Sequence, residues 1–186
     1  MAVLVEALSV IVRRDAITKH VAGGWKKFVE IVPNNTLCFD DELARVGFMS
    51  PASVDEFVTK LESLGLRHFS DGYAMEMAVV DQLTGPLSNV TWLEFAPFPL
   101  GAGKQVTSCW LFDEPRRGAG IHMKGLHMDL AVPPGWKYEG SISANHVFVR
   151  SEDIEGRLKF LRHGDGEDVF EDLETGKEIS VVRESR

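Results

Sequence analysis

The sequence predicts an α+β protein, with a ferredoxin-like βαββαβ first half continued by a β-rich second half of antiparallel strands. Three observations lead there. Strand-like and helix-like periods alternate over residues 3–80, with one strongly amphipathic helix among them. The helical period is lost after residue 81. The rest of the chain is short β-forming runs separated by Gly, Pro and Asn.

Residues 3–12, VLVEALSVIV, are apolar on both alternating faces: Val3, Val5, Ala7 and Ile11 on one, Leu4, Leu8, Val10 and Val12 on the other. That is the pattern of a strand covered on both sides and central in its sheet. Ile17, Val21, Trp25, Phe28 and Val32 then fall at helical spacing, capped by Asp15 or Thr18 and ended by Pro33. Gly23-Gly24 interrupts this helix at a cost of about 2 kcal/mol relative to alanine, which favours a start near Trp25 with loop before it. TLCF (36–39), the acidic turn Asp40-Asp41-Glu42 and LARVGF (43–48) read as a hairpin. Ser50-Pro51 and the capping box Ser53-x-x-Glu56 open a helix at 53–64. Its apolar face is Val54, Phe57, Val58, Leu61 and Leu64, and Gly65 stands at its C-terminus. AMEMAVV (74–80) completes the βαββαβ order as a strand.

Later strands are expected at 91–95, 106–112, 126–132, 145–149, 158–162 and 167–170. APFPLGAG (96–103) reads as a surface loop with Phe98 packed down between prolines, and HGDGED (163–168) as a β-turn that lacks calcium-loop spacing. No Ser-, Gly- or Pro-rich linker divides the chain, so 1–186 is expected to be one α+β domain, subdivided if at all into 1–81 and 82–186.

Composition bounds the function. At 186 residues and 44% hydrophobic the chain can bury a continuous core. A formal charge of −8, from 28 acidic against 20 basic residues, argues against nucleic acid or an anionic membrane as partner. Cys38 and Cys109 lie in apolar, strand-like settings that suit buried free thiols, not a disulfide framework. Glu6 interrupts the apolar start, and no segment reaches the ~18 apolar residues of a membrane span, so a cytoplasmic protein is expected.

Chemistry-bearing residues concentrate in EPRRGAGIHMKGLHMDL, 114–130. Arg116-Arg117-Gly118-Ala119-Gly120 resembles, over five residues, the pyrophosphate loop of acetyltransferases that use acetyl coenzyme A. The resemblance stops at Gly125, because Leu126, Met128, Leu130 and Val132 alternate as a strand where that loop must open a long helix. GAGK (101–104) lacks the spacing and the Ser or Thr of a P-loop, so no nucleotide motif is present. His127 and Asp129, two apart on a strand, share a face that His122 reaches from the loop and His146 reaches if the strands pair. Such a set suits a divalent metal, and equally the polar outer face of any soluble sheet. Trp136 and Tyr138 flank a turn, as a binding surface or as a plug over the sheet. Trp92 and Glu94 share a face, which makes Glu94 either an inward base or, in the plainer reading, a solvated residue above Leu93 and Phe95.

Two functional expectations follow. One is a non-catalytic binding or interaction module for a protein or small-molecule partner, engaged through Arg116 and Arg117 in the 113–125 loop and through Trp136 and Tyr138. The other is a metal-assisted enzyme built on His122, His127, Asp129 and His146. A homodimer formed through the late strands is a third possibility.

Overall fold

The computed structural model describes residues 1–112, 129–145, 158–163, 167–173, 176 and 178–182. The chain divides into two compact units, Met1–Gly135 and Trp136–Arg186. The architecture is α+β, with helices against sheets whose strand pairs are antiparallel in all but one named pairing.

Residues 3–12 were expected as one strand and are two. Strand β1 (Ala2–Val5) and strand β2 (Leu8–Arg13) enter different sheets, and the chain turns between them at Glu6-Ala7. Ala7 has φ 51°, a left-handed conformation that costs an alanine about 1–2 kcal/mol. Gln82 holds it there: its side-chain Oε1 accepts from the Ala7 N–H at 2.9 Å, and its own N–H donates to the Ala7 carbonyl at 2.9 Å. The Glu6 carbonyl accepts from Arg45 Nη2 at 2.6 Å and from the Ser9 hydroxyl at 3.1 Å. Burial on both faces was legible in the pattern, whereas the switch between sheets depends on Gln82, far away in sequence.

Helices α1 (Arg14–His20) and α2 (Gly24–Ile31) replace the single helix expected over this stretch. Gly23 and Gly24 both have positive φ, 91° and 56°, so the break falls where the two glycines made a helix costly. Strands β3 (Cys38–Phe39) and β4 (Leu43–Phe48) form the expected hairpin. Asp40 shapes its turn, accepting from the N–H groups of Glu42 and Leu43 at 2.8 and 2.7 Å. Helix α3 (Pro51–Ser63) starts two residues earlier than expected, because Ser50, not Ser53, is the N-cap and accepts from the Ser53 N–H at 3.3 Å. The strand expected at 74–80 is split by Met75-Glu76 into β6 (Tyr73–Ala74), which pairs with β5 (Phe69–Ser70), and β7 (Met77–Asp81). A short strand β8 (Gly85–Pro86) follows.

The central sheet runs β3-β4-β2-β7-β8 with every neighbouring pair antiparallel. One face carries Val10, Val12, Ala44, Val46, Phe48 and Met77 against Ile17, Phe28, Val54, Phe57 and Leu61 of the helices. The opposite face carries Cys38 and Ile11 beside Arg45, all buried. Gly47 is needed there, since a Cβ on it would lie 2.4 Å from Arg45 Nη2. Strand β1 packs against β3 and β4. Its own sheet has the order β11-β1-β10-β9, from β9 (Leu93–Gly101), β10 (Lys104–Leu111) and β11 (Leu130–Ala131). The expected loop at 96–103 is therefore wrong up to Gly101: among the described residues it is an edge strand, where prolines are tolerated because one side makes no ladder. Strand β11 pairs parallel with β1, and it is the described end of the run expected to be extended from Leu126.

The second unit holds a 3-10 turn (Tyr138–Gly140), helix α4 (Ile142–Asn145) and an antiparallel meander of β12 (Leu158–His163), β13 (Glu167–Asp172) and β14 (Glu178–Val182). Asn145 ends a helix and does not begin a strand; the rest of the strand expected at 145–149 lies outside the described residues. Among the described residues no helix is long and apolar enough to cross a membrane.

Candidate functional site

Arg116, Arg117, His122, His127 and His146 lie outside the described residues. Asp129 is exposed, and its carbonyl accepts from the Ala2 N–H at 3.0 Å, lengthening the contact between β11 and β1. Among the described residues no three His, Cys, Asp or Glu side chains are placed to hold a metal ion. Trp136 and Tyr138 are half-buried, and the Tyr138 carbonyl accepts from the Ser141 hydroxyl at 2.7 Å. Trp92 is buried with its indole N–H donating to the Ala74 carbonyl at 2.9 Å, Leu93 is buried, and Glu94 is half-buried.

Cys38 and Cys109 are buried free thiols, as their apolar neighbours implied. Burial raises both above the ordinary thiol value, Cys38 to about 11, despite the opposing pull of Arg45. They are held as unreactive thiols at neutral pH. Arg45 beside them donates to the Glu6 and Thr36 carbonyls and to Ser9 Oγ, so its guanidinium is used in joining the strand switch to the β3–β4 hairpin.

A concave feature of the first unit lies on the helix side of the central sheet. The helical layer covers Val10, Val12 and Met77 fully but leaves Leu8 and Val79 half-buried. At that uncovered corner lies a groove of about 300 Å³. Its floor is Leu8 and Val79, one wall is Pro51, Val54 and Asp55 of α3, and the other is His68 and Phe69 with Leu87 and Ser88. Phe69 is 53% exposed and Leu87 59%, so apolar surface continues from the groove onto its rim. Leu87 is fixed beside the floor by its N–H, which donates to the Val79 carbonyl at 2.9 Å.

Glu76 sets the position of the Phe69 wall. Its carboxylate accepts from the Arg67 N–H at 2.8 Å and from Arg67 Nη2 at 3.0 Å, while the Met75 N–H donates to the His68 carbonyl at 3.0 Å. Burial by itself would raise the Glu76 pKa, but the two hydrogen bonds and the charge of Arg67, with His20 adding to them, hold it below the ordinary glutamate value. His20 Nε2 lies 3.1 Å from Glu76 Oε1, at ion-pair distance but without hydrogen-bond alignment. A histidine beside a carboxylate is an element of acid–base catalysis, yet none of the residues His20, Arg67 and Glu76 lines the groove. Here the trio ties α1 and the 67–76 segment together.

None of the groove residues is among the candidate site residues that the sequence offers. They come from separate segments, and each reads locally as ordinary core or turn. Comparison of the chain with protein families, curated proteins and solved structures finds no match.

Proposed function

We propose that this protein is a non-catalytic binding module whose ligand seat is the groove between α3, β7 and the β5–β6 hairpin. The observation that carries the reading is the concavity itself: about 300 Å³, floored by Leu8 and Val79 and rimmed by exposed Phe69 and Leu87. A pocket of that size lined mainly by apolar side chains, with few polar groups, is the usual form of a binding site. The scaffold in this reading is a ferredoxin-like βαββαβ unit over residues 8–81. Its support is the order β3-β4-β2-β7 with all neighbours antiparallel, and helices between β2 and β3 and between β4 and β7. A cytoplasmic setting belongs to the same reading and draws support from the two cysteines, which are buried and unpaired.

Titration with the neutral solvatochromic dye Nile red tests the seat. The parent protein is expected to blue-shift the dye emission with saturation at one equivalent. The double variant Phe69→Ser/Leu87→Lys, confined to exposed rim positions, is expected to lose that signal while its thermal unfolding stays near that of the parent. No binding by the parent, or equal binding by a folded double variant, would overturn the reading.

A further inference from the structure

We infer that the groove receives a segment of a protein partner in which an apolar anchor side chain is flanked by lysine or arginine; this rests on the binding reading above. Three observations favour that occupant over a small molecule. The volume, about 300 Å³, is at the small end for ligand pockets and suits one or two side chains. Exposed Phe69 and Leu87 continue the apolar surface beyond the concavity, which a partner's backbone and neighbouring residues can cover. The third observation is electrostatic. No lysine or arginine lines the groove, whereas Asp55 does, and its exposed carboxylate has no ion-pair or hydrogen-bond partner among the described residues. The chain's charge of −8 acts in the same direction over longer range, drawing a basic segment in and repelling an acidic one.

The test is fluorescence anisotropy at about 0.15 M salt with three labelled synthetic peptides. One carries leucine anchors flanked by lysine, the second has glutamate in place of lysine, and the third has serine in place of leucine. The leucine–lysine peptide is expected to bind, the glutamate version about tenfold or more weaker, and the serine version not measurably. Asp55→Lys, shown to be folded by its thermal unfolding, is expected to remove most of the preference for lysine over glutamate. Equal affinity for the lysine and glutamate peptides, retention of the serine peptide, or an unaltered preference in Asp55→Lys overturns the inference. So does Nile red binding with no peptide binding, which points to a small-molecule occupant and leaves the binding reading intact. No dye binding by the parent, or equal dye binding by the folded rim variant, instead removes the binding reading itself.

Discussion

Glu76 is the residue where stability, acidity and the groove meet. Its carboxylate is held in the ionised form by the Arg67 backbone N–H and guanidinium, and these bonds fix the segment that presents His68 and Phe69 to the groove. A carboxyl group whose folded pKa lies below its unfolded value contributes stability that is fully present above the ordinary range of about 4. That stability is lost as the pH falls through the depressed folded value. Glu76→Gln keeps the shape but removes the charge, so it is expected to cost about 1–3 kcal/mol at neutral pH and to weaken Nile red binding by loosening the Phe69 wall. Urea denaturation of parent and variant at a series of pH values measures this. The two stabilities are expected to converge on acidification, and curves that stay parallel to the lowest pH at which the parent folds would show that Glu76 is not the linked group.

At the scale of the elements, the contrast between β9 and α3 shows what local sequence can and cannot specify. Strand β9 is at the edge of its sheet among the described residues, and it carries Pro97 and Pro99 opposite Thr107 and Gln105. A proline has no N–H for a ladder, so these two sit where the N–H position points away from β10, and the free edge of β9 lacks two donors. Restoring them with Pro97→Thr/Pro99→Thr is expected to leave the β9–β10 pairing intact and to open the edge to pairing between molecules. Sedimentation velocity would detect this as an apparent mass that rises with concentration more steeply than in the parent; identical profiles would mean the prolines do not guard the edge. In the sequence the same prolines read as a loop signal, because edge position is a property of the sheet and not of the strand. Helix α3 was legible for the opposite reason. Its apolar spacing at Val54, Phe57, Val58 and Leu61, with Ser50 and Pro51 at its start, lies within a few turns of one segment.

Over the whole molecule the same distinction separates fold from site. The α+β class and most of the elements before residue 81 follow from local period and caps, whereas the groove needs Leu8, Val54, Phe69, Val79 and Leu87 to meet from five segments. The sheet switch at Ala7 likewise needs Gln82, and no pattern within residues 3–12 announces it. Long-range closure also distributes stability unevenly between the two units. In Met1–Gly135 the central sheet is covered by α1, α2 and α3 on one face, with β1 packed against β3 and β4, and Val10, Val12, Val46 and Met77 are fully buried. In Trp136–Arg186 the described sheet has three strands, with Val169 buried but Phe160, Leu161 and Leu173 exposed at 46%, 38% and 60%. A three-stranded sheet is near the smallest that holds together on its own, so it should open more readily than the five-stranded sheet. Native-state hydrogen exchange is therefore expected to divide the chain into two classes. Amides of β2, β4 and β7 exchange slowest, at rates approaching the global unfolding limit, and those of β12, β13 and β14 exchange about tenfold or more faster. Equal protection across the two groups would show that the meander shares the cooperative core of the first unit and that stability is not divided in this way.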